Sequence, residues 1–192
     1  MRTTSVLAAA AITAMLSAPL HAAPEQYVLE KPHTQILFFV SHLGFSKSQG
    51  EFLDFDGGFT FDSEDWGNSS VQVTIRTHSI DMDDHAWDKH MRDEDFFNVN
   101  VHPTMTFEST KLEKTGEKTG KLHGDLTLLG VTRPVTLDVT FNKVGQHFKS
   151  KEWIAGFSAA TTIKRSEFGM KYGLPVIGDE VGIRLEVEGV RQ

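Results

Sequence analysis

Residues 122–142, with the sequence LHGDLTLLGVTRPVTLDVTFN, decide the fold of this chain. Apolar and polar residues alternate on both sides of a central turn at residues 129–134. Successive side chains of a β-strand point to opposite faces, so each half of the stretch has one apolar face and one face suited to water. Pro134 has no N–H to donate and therefore belongs at the entrance of the second strand. The stretch predicts an antiparallel hairpin with one face in the protein interior.

The same period of two recurs along most of the chain. Residues 71–76 and 181–187 alternate apolar and polar side chains in the same way. Further strands are predicted around residues 34–43, 50–61, 104–114 and 153–164. The total is eight strands, and short turns between neighbours favour an antiparallel arrangement.

Eight strands with one apolar face each can close a barrel or stack as a sandwich. Closure removes exposed strand edges, and an eight-stranded barrel has room for packed side chains or for one ligand. The predicted inward residues are mostly mid-sized, and Gly124, Ala155 and Ala159 are small. We therefore expect an all-β fold, an eight-stranded antiparallel barrel whose lumen is not completely filled.

Residues 83–97, DDHAWDKHMRDEDFF, interrupt the alternation and predict a helix. The aspartates at its start can cap the N-terminus and suit the helix dipole. Trp87 and Met91 lie four residues apart on one face, while Asp88 and Arg92 can pair on another. A second short helix or turn is predicted in the chain segment just before the last strand, at residues 165–170.

The first 22 residues are typical of an export signal. Arg2 gives a positive start, and residues 6–16 are apolar or threonine. This run is too short to span a bilayer, which needs about 20 apolar residues. We expect a signal peptide at residues 1–22, a mature domain at residues 23–192 and a periplasmic location. The alternative is a buried N-terminal helix.

Cysteine and charge content narrow the function classes. The chain has no cysteine, which excludes disulfides, thiolate metal sites and a lipidated cysteine. The whole chain has 19 basic and 26 acidic residues, and without residues 1–22 the balance is 18 against 26, a net charge of −8. This acidity argues against nucleic acid and anionic membrane as partners. Stable membrane insertion is not expected, and the oligomeric state stays open, with a homodimer among the options.

Four sets of residues resemble the YceI-like family, a lipocalin-like, polyisoprenoid-binding group. They are His-Leu-Gly at 42–44 with Gly50, Phe52, Phe55 and Gly57; SID at 79–81 with DKHMR at 88–92 and DFF at 95–97; GDLTLLGVTRPV at 124–135; and VEGV at 187–190. These segments follow the family's order and are spread over essentially the whole mature chain.

The resemblance implies an eight-stranded, lipocalin-like antiparallel barrel with a short helix near its mouth. It also implies an apolar lumen that holds a polyprenyl chain, such as a polyprenyl phosphate or the tail of a ubiquinone. We therefore predict a periplasmic carrier or sequestering protein for an isoprenoid lipid. The bound lipid or quinone is the only cofactor-like group expected, and no enzymatic activity is predicted.

The predicted ligand contacts combine inward-facing strand residues with groups near one end of the barrel. Among the latter, the two histidines and the arginine could bind a polar head group, whereas the tryptophan, the methionine and the last phenylalanine could form an apolar gate. The full set is Phe38, Val40, His42, Val73, Ile75, Trp87, His90, Met91, Phe107, Leu126, Leu137, Phe157, Arg165 and Phe168.

Catalytic and metal motifs do not stand out. His85 and His90 are five residues apart, not at the i,i+4 spacing of a helical zinc site. The chain has no GxSxG motif and no phosphate-cradling glycine loop. No catalytic residue and no metal are therefore predicted. Two alternatives stay open: an enzyme acting on a small lipid-like substrate inside the barrel, and a stress-related interaction module whose barrel is packed solid.

Two small inward positions give a mutational expectation. Gly124 and Ala159 both fall on predicted inward faces. A phenylalanine at either position would fill the lumen without changing the outer face. We expect both substitutions to abolish lipid uptake and to leave the fold largely intact.

Overall fold

The computed structural model describes residues 23–192, and the predicted signal peptide at residues 1–22 lies outside the described residues. The strands are β1 Glu25–Leu29, β2 Gln35–His42, β3 Ser46–Phe52, β4 Phe55–Phe61, β5 Ser70–Arg76, β6 Ile80–Asp81, β7 Thr104–Lys114, β8 Thr119–Leu128, β9 Val131–Gln146, β10 Trp153–Lys164 and β11 Ile177–Arg191. One α-helix, α1 His85–Arg92, lies between β6 and β7. Within the described part of the chain, no helix has the length and apolarity needed to cross a membrane.

These segments close into an eight-stranded antiparallel barrel. The ladder runs β1-β4-β5-β7-β8-β9-β10-β11, and β1 pairs back onto β11. At the other end of the cylinder β2 pairs with β11, β3 with β2, and β6 with β3. Three pairs of segments, β1 with β2, β3 with β4 and β5 with β6, are therefore interrupted long strands. The predicted barrel is confirmed, and the sandwich is excluded.

The interruptions are where the sequence prediction was wrong in detail. The predicted strand at 50–61 breaks at Leu53 and Asp54, because their backbone groups turn to the next strand. Leu53 N donates to Ser79 O at 3.2 Å, and Arg76 N donates to Asp54 O at 2.9 Å. The short β1 was not predicted, since its only buried residue is Tyr27 and its alternation is correspondingly faint.

The hairpin of residues 122–142 forms as predicted. Leu122 lies opposite Leu137, and every second residue of β8 is buried. The turn is tighter than expected: Leu129 and Gly130 have φ values of 51° and 72°, as a two-residue primed hairpin turn requires. Pro134 therefore lies inside β9, where the β10 ladder, which reaches only to Asp138, leaves one side unpaired.

The buried side chains form two clusters stacked along the barrel axis. One cluster fills the end near α1 and includes Phe38, Phe52, Phe96 and Phe97. The other fills the opposite end, and its aromatic members include Tyr27, Phe59, Phe61 and Trp66. The space between and within these clusters is where a ligand cavity can lie.

Helix α1 starts where the sequence predicts but ends earlier. The Asp84 carboxylate accepts hydrogen bonds from Ala86 N at 3.0 Å and Trp87 N at 2.9 Å, so Asp84 is the N-cap. The predicted helix of residues 83–97 ends at Arg92, because Asp93 has an extended backbone with ψ of 174°.

Polar contacts hold α1 against the neighbouring strand β6. Asp88 Oδ1 accepts from Met82 N at 2.8 Å, and Asp88 lies 3.7 Å from Arg92 in the predicted i,i+4 pair. Arg92 Nε donates to His78 O and Arg92 Nη2 donates to Ile80 O, both at 2.8 Å. The helix is thus fixed to the barrel mainly through one arginine and one aspartate.

We expect Asp84→Ala to lower the free energy of unfolding by about 1 kcal/mol, because two helix N–H groups lose their acceptor. Asp84→Asn keeps an acceptor oxygen and is the matched control, with an expected loss of only a few tenths of a kcal/mol. Urea unfolding followed by circular dichroism measures both. Equal losses in the two variants would contradict the assignment of Asp84 as the cap.

Candidate ligand-binding cavity

The barrel encloses a cavity of about 460 Å³. Binding sites for small molecules commonly measure about 300–1,000 Å³. The cavity wall is built from the inward faces of the strands and from α1, and it is overwhelmingly apolar. The predicted inward faces of β5, β8, β9 and β11 all contribute to it. The barrel is therefore not packed solid. The interaction-module alternative required a solid core.

The predicted ligand contacts converge on this cavity, with one exception. All of them except Phe168 line its wall, although contact with a ligand stays a prediction. Phe168 belongs to the 3-10 turn Arg165–Phe168, is 1% exposed and packs within the core cluster near α1. Phe168 was predicted as a ligand contact, but the turn buries its ring among core side chains and it does not line the cavity.

The cavity has its mouth at the end where α1 lies. Trp87 and Tyr172 both line the cavity and are 42% and 45% exposed, so they form its rim. The His42 ring lies 6.0 Å from the Trp87 ring, and the His90 ring lies 5.3 Å from the Tyr172 ring. Phe45, at 88% exposure, follows the β2 end and adds apolar surface beside the rim.

Arg165 fastens the mouth loop, which we define as residues 170–178. The side chain is 3% exposed, and its guanidinium donates to four backbone carbonyls of the loop. These are the carbonyls of Met170 at 3.2 Å, Tyr172 at 2.8 Å, Ile177 at 3.1 Å and Gly178 at 2.8 Å. An arginine has five N–H groups, so these four bonds leave one N–H that they do not use, and Arg165 also lines the cavity.

The charge of Arg165 is only indirectly compensated. Burial lowers the pKa of its guanidinium, and the Asp179 carboxylate opposes that shift. Asp179 is itself hydrogen-bonded to Ser166, whose N lies 2.9 Å from Oδ1 and whose Oγ lies 2.8 Å from Oδ2. Arg165 was predicted as a head-group contact. In the structure its hydrogen bonds hold the mouth loop in place.

All four methionines of the described chain line the cavity within the cluster near α1. They are Met82, Met91, Met105 and Met170. A thioether side chain is flexible and adapts to irregular neighbours. Only Met91 was predicted from the sequence. The others lie in loops or at strand positions whose periodicity gives no sign that they meet.

The opposite end of the cavity is closed by aromatic rings, which we call the aromatic base: Tyr27, Phe59, Phe61, Trp66, Phe141 and Phe157. Phe59, Phe61 and Phe157 line the cavity. Of this set only Phe157 was predicted as a contact. Phe59 and Phe61 continue the alternation of β4 and could have been found from it, whereas Trp66 lies in a 3-10 turn between strands.

Gly124 faces inward as predicted, but it does not line the cavity. A Cβ added there would lie 2.4 Å from Phe107 Cζ and 2.6 Å from Glu108 O. The expectation that a phenylalanine at Gly124 would leave the fold intact was therefore wrong, because the β7 backbone stands in the way. Ala159 does line the cavity and is the suitable position for a blocking substitution.

One group of possible metal ligands lies outside the cavity. Glu30, His33 and Glu188 each place one ligand atom within 4.8 Å of the others. The Glu30 carboxylate already accepts from His33 N at 2.9 Å and lies 2.9 Å from His33 Nδ1. These contacts cap the 3-10 turn Lys31–His33.

Comparison with known proteins points to one family. The model of the YceI-like domain matches residues 27–189. A curated "UPF0312 protein" of Pseudomonas aeruginosa is 41% identical over 191 residues, covering 97% of each chain. The solved Campylobacter jejuni YceI protein is 30% identical, with a TM-score of 0.72 over 79% of this chain and 90% of that one.

A second solved structure is similar in fold alone. It is a polyisoprenoid binding domain from Saccharophagus degradans implicated in plant cell wall breakdown. It is 16% identical to this chain, with a TM-score of 0.69 over 88% of this chain and 99% of that one. The two proteins therefore share the barrel fold although most of their side chains differ.

We expect Arg165→Met to lower the free energy of unfolding by about 2–4 kcal/mol, because the mouth-loop carbonyls lose their donor. Arg165→Lys should recover only part of this, since an ammonium group cannot reach four carbonyls. Arg184→Met, at an exposed arginine paired with Glu186, is the control and should change stability by less than about 0.5 kcal/mol. Chemical unfolding measures all three, and equal effects at both arginines would contradict the clamp.

The mouth should also respond to acid through Asp179. The hydrogen bond from the Ser166 backbone is the main reason that the pKa of the Asp179 carboxyl lies below its ordinary value of 3.8. A lowered pKa in the folded state stabilises the protein above that ordinary value, and the contribution is lost as pH falls through the folded-state pKa. Between about pH 5 and pH 2, Asp179→Asn should therefore lose less stability than the wild type. Parallel urea-unfolding curves over this range would argue against it.

Proposed function

This chain belongs to the YceI-like domain family, and we propose that it is a periplasmic protein that carries or sequesters a long isoprenoid lipid in its barrel. The observation that carries the proposal is the cavity, an apolar lumen with its mouth at one end. The fold neighbour described as a polyisoprenoid binding domain supports the same ligand class.

The depth of the lumen suits a long tail. Ile177 at the mouth and Val187 near the aromatic base both line the cavity. Val187 follows Ile177 by ten residues, which corresponds to about 33 Å along β11. In a barrel whose strands are tilted by about 40°, this is about 25 Å along the barrel axis. Burial of each methylene-sized group contributes about 0.8 kcal/mol, so a prenyl tail can bind tightly without any charged contact.

A polar head group has partners only near the mouth. In the described chain, the titratable side chains that line the cavity are His42, His90, Arg165 and Tyr172. The remaining N–H of Arg165 and the imidazoles can donate to a phosphate or to a quinone oxygen. A polyprenyl phosphate and a ubiquinone-like lipid both satisfy this arrangement of a polar end and an apolar lumen.

The same lining supports binding over catalysis. No carboxylate, lysine or cysteine of the described residues contributes to the cavity wall, and its two histidines lie at the mouth, away from the deeper apolar lumen. An enzyme acting on a lipid-like substrate is therefore the weaker candidate.

Export completes the proposal. Residues 1–22 carry the pattern of a signal peptide, and the cysteine-free chain needs no disulfide in an oxidising compartment. An isoprenoid lipid is too apolar to cross an aqueous compartment alone. A barrel that encloses the tail would keep it out of water between donor and acceptor.

Native mass spectrometry of the protein purified from its own periplasm, followed by lipid extraction, tests the proposal. The expected result is one isoprenoid lipid per chain. The delipidated protein should also take up ubiquinone or polyprenyl phosphate when either is supplied in detergent. A protein that arrives empty and takes up neither lipid would overturn the proposal.

We expect Ala159→Phe to abolish the binding of a long isoprenoid tail, because the ring obstructs the lumen above the aromatic base. Ala160→Phe is the matched control: it adds the same ring on the neighbouring residue, which is exposed on the outside of the barrel. Native mass spectrometry compares lipid occupancy, and circular dichroism verifies that both variants fold. Equal occupancy in the two variants would mean that the tail does not run past Ala159.

A further inference from the structure

The two ends of the lumen differ in stiffness. Four methionines line the end near α1, where Trp87 and Tyr172 are partly exposed. The opposite end is made of the aromatic base, whose members Tyr27, Phe59, Phe61 and Trp66 are at most 8% exposed. Flexible thioethers adapt to different shapes, whereas packed rings do not.

The rings of the aromatic base interlock across the barrel. Phe157 packs edge-on against Phe61 at 5.0 Å and against Phe59 at 5.4 Å between ring centroids. Phe141 lies behind them, 5.2 Å from Phe61 and 5.4 Å from Phe157. These rings come from β4, β9 and β10, so they join strands on different sides of the cylinder. A tail cannot displace one ring without moving the others.

Trp66 seals the base from outside. Its ring lies edge-on to Phe61 at 5.7 Å and covers Gly120, where an added Cβ would be 2.9 Å from the indole. Lys114 Nζ lies over the ring, 5.2 Å from its centroid. The indole therefore spans from β4 to β8 and fixes the depth of the lumen.

The turn that carries Trp66 is held by a buried aspartate. Asp62, at 3% exposure, accepts hydrogen bonds from Glu64 N and Asp65 N, both at 2.9 Å. Asp62 N donates to Ser69 Oγ at 3.1 Å, which ties the two ends of the turn together. The aromatic base is thus fixed both by ring packing and by the backbone of its covering turn.

We propose that the aromatic base sets the longest isoprenoid tail that the barrel accepts, with Phe157 as the residue that fixes the limit. This inference rests on the proposed function, because it concerns the depth of the same lumen. Each additional isoprene unit gains a similar amount from burial, so burial alone favours longer tails without limit. Discrimination by length arises only where the tail meets a wall that does not move.

Phe157 lies opposite Val187, one inward position nearer to the mouth than Gly189, which the Phe59 ring covers. It is partly buried and lines the cavity together with Phe59 and Phe61, and with its ring removed these two and Phe141 would still provide an apolar surface. Its replacement by alanine would extend the lumen by about the volume of one isoprene unit. Replacement by leucine keeps most of the volume and serves as the matched control.

The experiment offers delipidated protein an equimolar mixture of ubiquinones that differ only in tail length, and reads bound species by native mass spectrometry. We expect the wild type to show an upper limit of tail length. Phe157→Ala should raise the bound fraction of the first excluded ubiquinone by about ten-fold or more. Phe157→Leu should keep the wild-type limit. Trp87→Ala, at the mouth, should lower total occupancy without moving the limit.

The outcomes separate this inference from the proposed function. If the wild type binds no ubiquinone and no polyprenyl phosphate, the proposed function fails. If it binds ubiquinones of every length equally, or if Phe157→Ala keeps the wild-type limit while its thermal unfolding shows a folded protein, the length limit is wrong and lipid binding stands. Should Phe157→Ala not fold, Phe157→Val supplies the same test with a smaller cavity.

Discussion

The closure of the sheet between β1 and β11 is the interaction on which the rest of the structure depends. Leu29 lies opposite Gly189 at this seam, and a Cβ on Gly189 would approach Phe59 to 2.5 Å. The missing side chain lets the Phe59 ring lie over the seam, stacked on Tyr27 at 4.9 Å. Glu25 holds the end of the seam, because it accepts from the Tyr27 hydroxyl and pairs with Arg191. Without this closure the lumen would be a cleft open to water, and its apolar wall would destabilise the fold.

The sequence predicted those parts of the fold that depend on local alternation. The hairpin of residues 122–142 has its predicted faces because every second residue of β8 is buried, whatever the rest of the chain does. The break at Leu53 and the covering position of Trp66 depend instead on contacts with distant segments. Alternation also identifies an inward face without saying whether its residues reach the lumen, which is why Gly124 and Phe168 were misjudged. The ligand class came from resemblance and not from the pattern.

Polar and apolar groups are separated along the barrel axis, and this separation determines what the cavity can do. The titratable side chains of the described chain that line it lie around the mouth, while the deeper wall is aliphatic and aromatic. A buried guanidinium would be unfavourable in such surroundings, and Arg165 is tolerated because four carbonyls satisfy it. The same bonds keep the mouth loop in place. In the proposed function, the group that would offer polarity to a ligand is therefore also the group that shapes the opening.

The two ends of the barrel are also held by different kinds of interaction. Around the mouth, β6 has only two residues in the ladder, and the chain from there to β7 is fixed by hydrogen bonds of Asp88 and Arg92. Each such bond contributes about 1–3 kcal/mol, and segments with few ladder bonds open at lower free energy than continuous strands do. At the base, the interlocked rings of Phe59, Phe61 and Phe157 resist the same displacement. In the proposed function a tail would therefore enter and leave where the chain opens most easily, and would stop where the packing does not yield.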